Sequence, residues 1–585
     1  MMARESKRIT VGVLLDSHLY SGMYPSMFAT PIIRGIQAAA RDQGVNLLVA
    51  CGMQHGAGPN RFRPAWPNPD AGVDFIPVGP WNTEGLLVFS PLRTESRKQY
   101  IDQLIRQQFP ILFIGSGTGT PTITVDNEGG IRQVMEHLVE HGHRNIAFIA
   151  GDAEDPGDSA ARIRAFQQGV KEFGLNDDPR LLEYGQHWDE AAYQAIRKIL
   201  RSGVKFTAVM CSNDQSALGV VRALTEAGLR IPWDVAVTGF DDQAEAMTLI
   251  PPLTSVHYPL FETGYRAFLL MRKRIQEGPQ TLPDVVRVFT RLMTRQSCGC
   301  LPQVNNPAMA VYEATIAADR QDPARYREDL AQAMVEALMS DDAPENVLET
   351  RQLCDRLIGA FLDSLHDEDL SHFQVALVEI LQRIELLEED AHAWQAALSV
   401  LRLCTRAPLA GEISPQRVHL AEDLLHQART LLSDSARRRF TRMQLQQTFH
   451  DEALGRLTAR LLSSLDEEQM FATLADNLPQ VGIHSCHVVF FEPRGDDPNG
   501  GSILPPRGKD FPGLQFETRE FPPPELYPDK EPFSLALLPL FFQEKNLGYV
   551  AFDGGNLEPL AMIVIQLATA IRSARLHARV LELSL

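Results

Sequence analysis

Apolar and polar positions along the first 300 residues fall into two alternating kinds of block. Ile9–Leu15, Val45–Val49, Gly85–Phe89, Ile111–Ile114 and Ile146–Ala150 are short apolar runs with the length of buried strands. Between and after them, apolar residues recur every three or four positions over Pro31–Gln43, Glu95–Gln108, Gly129–His141, Ser159–Phe173 and Glu190–Arg201, which predicts helices. Repeated strand-then-helix order predicts a doubly wound parallel sheet, with chain enough for two lobes and a cleft between them.

The segment Phe206–Pro259 shows the pattern best. Phe206–Cys211 is a strand ended by Ser212-Asn213-Asp214. Ala217, Leu218, Val221 and Leu224 then mark a helix that Gly228 stops, and Val235-Ala236-Val237 is a strand closed by Gly239-Phe240-Asp241-Asp242. Strand, helix and strand of these lengths make a right-handed βαβ unit. Ligands of such sheets lie beyond the carboxyl ends of the strands, which places Asn213, Phe240 and Asp241 at one side of a pocket. The competing readings are local: a helix N-cap at Asp214 and a simple turn at Asp241-Asp242.

After Cys300 the periodicity becomes helical. Tyr326–Met339, Asn346–Ser364, Phe373–Glu388, Trp394–Leu403 and Arg417–Leu432 predict an all-α helical bundle over 301–432. Residues 433–465 read as one signalling or dimerisation helix, with Phe440, Met443, Leu454, Leu457, Leu461 and Leu465 along a broad stripe suited to a second copy. A small α+β domain follows over 466–578: helix Met470–Leu478, strand Ser485–Phe491, a hairpin of Phe533–Phe542 and Asn546–Asp553, and helix Glu558–Leu583, whose end is 579–585. The expected fold class is therefore multidomain α/β, with a two-lobed, doubly wound parallel-sheet domain over 8–300 at its head.

Composition narrows the function. The chain has 585 residues and a net charge of −19, which disfavours unspecific attraction to nucleic acid or an anionic membrane. Seven scattered cysteines suggest a reduced compartment rather than a disulfide framework, and the short first apolar run, which meets Asp16, is no secretion signal. A cytoplasmic location is expected. No paired carboxylates, nucleophile–base pair or phosphate loop has supporting context, so neither catalysis nor a cofactor is expected. Glu136, His137, His141 and His143 raise the question of a metal, and His137 and His141 share a helical face. Cys298-Gly299-Cys300 lacks a second pair at zinc spacing, so a structural close is preferred and no metal is expected.

The segment VTGFDD with PPLT after it, and CSNDQSALG and LTEAGLRIPWDVAV before it, resembles the effector-binding domain of LacI/GalR-type regulators. That domain shares the fold of type I periplasmic binding proteins. Val125-Asp126-Asn127, Gly142-His143-Arg144 and Arg295-Gln296-Ser297-Cys298-Gly299-Cys300 fit the same resemblance. It implies a small polar effector, sugar- or nucleoside-like. Arg162 would hold its polar groups, Trp188 would stack on a ring (a core position is the alternative), and Asn213 and Asp241 would bond its hydroxyls. On the first lobe it points to Asp16, Tyr24, Phe28, Ser90 and Ser116, with Asp126 near the crossover. His18–Thr30 and His55–Trp81 depart from the family pattern, and the second could be a lid or dimer arm. A homodimer is expected from the helix stripe, and regulators of this type carry a helix-turn-helix headpiece. Strand one starts by Ile9 here, so no helix-turn-helix is expected, and output would pass to a downstream signalling or DNA-binding partner.

LGYVAFDGG before LEPLAMIVIQLATAIRSARL resembles a GAF domain over Asp466–Ala578. No nucleotide, haem or bilin is expected there, and Cys486 should pack. His450-Asp451-Glu452 resembles a sensor-kinase phosphoacceptor box but lacks its Arg and Pro, so phosphoacceptance is not expected. Two readings follow: a ligand-sensing regulator, or the sensory part of a kinase or diguanylate-cyclase system with its catalytic domain elsewhere.

Overall fold

The computed structural model describes residues 8–15, 29–51, 78–89, 95–115, 121–278, 282–300, 323–338, 347–387, 391–402, 415–464, 466–495, 497–506, 513–527, 531–542, 545–555, 557 and 559–584. They form two compact units. One joins 1–300 with 450–585, and the other is 301–449.

Two sheets build the first 300 residues. Strands β1 (Thr10–Leu14), β2 (Asn46–Ala50), β3 (Gly85–Phe89), β4 (Ile111–Ile114), β5 (Thr122–Val125) and β11 (Val285–Val288) lie parallel in the order β11-β5-β4-β3-β1-β2. Helices α1 (Ala29–Asp42), α2 (Glu95–Arg106) and α8 (Leu260–Glu277) belong to this lobe. The second sheet takes β6 (Ile146–Ala150), β7 (Leu182–Tyr184), β8 (Ala208–Cys211), β9 (Ala236–Asp241), β10 (Thr254–His257) and β12 (Arg291–Met293). Its order is β12-β10-β9-β8-β6-β7, with only β12 antiparallel. Its helices are α3 (Asn127–Glu140), α4 (Asp158–Glu172), α5 (Asp189–Arg201), α6 (Asp214–Glu226) and α7 (Ala244–Thr248). The chain crosses between sheets three times: after β5, after β10 and after β11. Strands β1 to β4 are buried along their length, as expected of a parallel sheet covered on both faces.

Close helix contact explains two mid-helix glycines. A Cβ on Gly35 of α1 would lie 2.0 Å from the Phe261 carbonyl oxygen, and one on Gly264 of α8 would lie 1.9 Å from that of Ile32. Only glycine lets the two backbones approach so far.

The C-terminal residues do not form a separate sheet. Strands β13 (Cys486–Arg494), β14 (Asp497–Leu504), β15 (Leu514–Glu517), β16 (Ser534–Phe542) and β17 (Lys545–Asp553) pair antiparallel in the order β16-β17-β13-β14-β15. The outer strand β16 runs parallel along β2, with Ser534–Leu537 opposite Leu47–Ala50. The result is one eleven-stranded sheet. Alternation along β16 serves both faces. Ala536, Leu538 and Leu540 join a core with Ile33, Ile36, Leu47 and Val49, while Leu535 and Leu537 join one with Leu14, Leu48 and Ala50. Asn82 Nδ2 donates to the Phe521 carbonyl at 3.1 Å, and Gln37 Nε2 donates to that of Gly554.

In the second unit α9 (Pro323–Leu338), α10 (Val347–Asp367), α11 (Ser371–Leu387), α12 (Ala391–Leu401) and the start of α13 (Pro415–Ser463) pack around Met334, Phe361, Phe373, Trp394 and Leu424. The break expected between 432 and 433 is absent, because after Pro415 neither proline nor glycine interrupts α13 before Gly455, which faces open space. The stripe expected on it divides: Leu457 and Leu461 are buried, Phe440 and Met443 are exposed, and Leu465 lies outside the described residues. Helices α14 (Glu467–Asn477) and α15 (Leu560–Ser584) complete the first unit.

Candidate functional site

The second lobe gathers its polar side chains at the carboxyl ends of β8 and β9. Helix α4 delivers Arg162, which is almost fully buried. Its Nε donates to Asn127 Oδ1 at 2.7 Å, and Nη1 donates to the Ser212 carbonyl. Its Nη2 lies 3.5 Å from Asp241 Oδ1, and the guanidinium sits 3.7 Å from the centre of the Phe240 ring. Asn127 is itself held, donating to Asp158 Oδ1 at 2.7 Å. The pair between Arg162 and Asp241 is thus long. Asp241 Oδ1 is buried with no hydrogen-bond partner among the described residues. A buried acceptor so placed lacks the donor that would offset its desolvation.

Asp241 also carries backbone strain, with φ at +97°, and Asp242 follows at +54°. Burial pushes the Asp241 carboxyl up to about 6, with Arg162 pulling the other way. The folded state therefore holds the Asp241 proton more tightly than the unfolded chain, and this contribution to stability is present at low pH and lost as pH rises through about 6. Asp241→Asn removes the loss. The variant is expected to gain on the order of 2–3 kcal/mol over the parent between pH 4 and pH 8, read from urea denaturation across a pH series. Parallel pH profiles for the two proteins would contradict the burial effect.

His187 completes the group. It has φ of +62°, its Nε2 lies 2.8 Å from Ser159 Oγ, and its Nδ1 lies 3.4 Å from Ser212 Oγ. Burial, then the charge of Arg162, brings its imidazole down to about 4, so it is neutral near pH 7. Neither Asn127 nor His187 was expected from the sequence. The signal for Asn127 is its place at the start of α3, one step after Asp126; for His187 it is Gly185-Gln186-His187 just ahead of α5.

The expected residues are placed as follows. Arg162, Phe240 and Asp241 are brought together. Phe240 is fully buried and meets the guanidinium rather than open space. Asn213 is the N-cap of α6: its Oδ1 accepts from Ser216 N at 3.0 Å, and its Nδ2 donates to the His187 carbonyl at 3.2 Å. Asp126 caps α3 by accepting from Gly129 N at 3.1 Å. Asp214, offered as the alternative cap, instead accepts from Ser255 Oγ at 2.5 Å and Gln243 N at 2.8 Å, inside the lobe. Trp188 precedes α5 with 46% of its surface exposed, so it is no core residue. Asp16, Tyr24, Phe28, Ser90 and Ser116 lie outside the described residues. Elsewhere, His450 Nε2 meets the Val481 carbonyl at 3.0 Å, and Cys486 is buried in β13.

Comparison with known proteins bears on this site. The family described as "Periplasmic binding protein-like domain" matches residues 135–298. The HTH-type transcriptional regulator CelR of Thermobifida fusca is 28% identical over 301 residues, 50% of this chain and 82% of that protein. Catabolite control protein A of Priestia megaterium is 28% identical over 37% of this chain and 64% of its own length. The HTH-type transcriptional repressor PurR of Pasteurella multocida (strain Pm70) is 34% identical over 29% and 50%. Among solved structures, a CelR–cellobiose complex is 27% identical, with a TM-score of 0.41, covering 50% of this chain and 85% of that one. These relatives are transcription regulators, not enzymes. Two of them are helix-turn-helix regulators by name, which overturns the expectation of a chain without a helix-turn-helix headpiece. No helix among the described residues is long and apolar enough to cross a membrane. The family match and the paired sheets agree: residues 135–298 are a periplasmic binding protein-like domain of the LacI sensor type.

Proposed function

We propose that residues 8–300 bind a small polar effector, sugar- or nucleoside-like, between the two lobes, and that the chain regulates transcription in response. The observation that carries this is the buried group Arg162, Asp241 and His187 at the strand ends, with a carboxylate oxygen left without a donor. A hydroxyl supplies that donor, and the guanidinium offers a planar fork to a carboxylate or paired hydroxyls. Trp188, half exposed and next to His187 in the chain, suits stacking on a ring or an apolar sugar face.

In this reading the domains are 8–300 for the sensor, 301–432 for a helical bundle, 433–465 for a dimerisation helix and 466–578 for a GAF-like domain ending in helix 579–585. The exposed Phe440, Met443 and Phe449 on α13 favour a homodimer. The effector must bind the closed sensor better than the open one for any signal to pass. The kinase or cyclase alternative draws no support from the relatives, which are transcription regulators.

The test is a thermal-shift screen of the full chain against monosaccharides, disaccharides, nucleobases and nucleosides, followed by calorimetry. A hit that raises the melting temperature and binds one per chain is the expected result. A complete panel without a shift would count against this effector class.

A further inference from the structure

Four soft ligands converge at the far end of α3, away from the residues that form the effector site. His137 in the last turn of that helix and His141 as its C-cap stand four apart, with 4.6 Å between ring centroids. Cys298 and Cys300 come from the turn that follows β12. His137 Nε2 is 3.2 Å from Cys298 Sγ and 3.6 Å from Cys300 Sγ, and His141 Nε2 is 3.3 Å from Cys300 Sγ. The donor atoms of His137, Cys298 and Cys300 all lie within 4.8 Å of one another. Both cysteines are free thiols.

We propose that His137, His141, Cys298 and Cys300 form a structural site for a soft divalent cation, zinc by preference. Tetrahedral zinc with sulfur at about 2.3 Å and nitrogen at about 2.0–2.1 Å sets nitrogen and sulfur about 3.5 Å apart. The three measured separations fall around that value, so little movement is needed to close a metal between them. Two imidazoles and two thiolates balance the charge of the ion and fill a closed four-coordinate shell. That shell leaves no open position, which marks a structural site rather than a catalytic one.

In sequence the two histidines and the two cysteines stand as separate short motifs. The fold supplies the missing pair by bringing 298–300 back onto the end of α3 across 159 to 163 positions of sequence. The turn is already anchored. Gly299 takes φ of +95°, which a side chain would resist. Ser297 Oγ donates to the Val237 carbonyl at 2.5 Å, and Thr254 Oγ1 donates to Cys298 Sγ at 3.0 Å. Arg295, just before the turn, pairs with Asp242 at 2.6 Å, next to the strained Asp241. A metal here would fasten the last residues of the sensor to the lobe that holds the effector group, where the chain passes on to its later domains. Outer partners such as Thr254 orient such ligands.

The experiment uses the full chain, expressed with zinc and purified anaerobically under reducing conditions. Metal analysis should find one zinc per chain. Replacement by Co2+ should give the intense visible absorption of a tetrahedral centre, with a near-ultraviolet sulfur-to-cobalt band. Cys300→Ser and His141→Ala alter the two more exposed ligands and should keep the fold, verified by circular dichroism. Each should weaken zinc binding by more than about a hundredfold against a competing chelator. Substoichiometric zinc with only the faint absorption of six-coordinate cobalt would overturn the proposal. So would wild-type zinc affinity in both variants, or a mass showing a disulfide between Cys298 and Cys300 in the reduced preparation.

Discussion

Arg162→Ala is expected to abolish measurable effector binding and to destabilise the chain by about 3–5 kcal/mol, the usual cost of removing one partner of a buried pair. Both effects trace to the same geometry. The guanidinium holds Asn127, the Ser212 carbonyl, the Phe240 ring and Asp241 at once, so its loss unfastens the ends of β8 and β9 and strands the Asp241 carboxyl. The two effects separate in a double variant. Arg162→Ala with Asp241→Asn removes the uncompensated charge and should recover much of the stability, while binding stays lost. Urea denaturation reads the first effect, and calorimetry with any hit from the screen reads the second. A single variant that binds with wild-type affinity would remove Arg162 from the effector site.

A chain ending at Cys300 is expected to be insoluble or to self-associate, although it contains every strand of both lobes. The edge strand β2 would lose β16, leaving its outer amides and carbonyls unpaired, an arrangement that recruits other strands. On either side of the sheet, Ile33, Ile36, Val49, Leu14 and Leu48 would lose the residues of 450–585 that complete their cores. Light scattering after size exclusion decides the matter. A monodisperse monomer with the thermal stability of the full chain would mean that the shared sheet contributes little.

The architecture of the first 300 residues was largely legible because each lobe is a repeat of local units. A buried parallel strand and the helix after it declare themselves within a short local segment, as β8 and α6 do. Short strands such as β7 and β12, three residues each, carry too little periodicity to be seen. Arg162 and Asp241 were legible through family resemblance together with position at strand ends. Asn213 and Asp126 show the limit of that argument, since the sequence that suits a pocket also suits a helix cap, and here both side chains cap. His187 was out of reach because its importance depends on Ser159 and Ser212, neither near it in sequence. The pairing of β16 with β2 was equally hidden: a strand edge names no partner, and the apolar alternation of β16 fits a hairpin alone just as well.

That pairing also fixes an order of events during synthesis. Phe533 N donates to Asn46 Oδ1 across 487 positions of sequence, at 3.2 Å. At translation rates of roughly 5–20 residues per second, the partner of β2 leaves the ribosome about half a minute to a minute and a half after β2 itself. Throughout that interval the first lobe can fold its central strands but cannot close its outer edge. The nascent chain therefore carries one open sheet margin until β16 emerges, and the yield of native protein should depend on what shields that margin in the meantime.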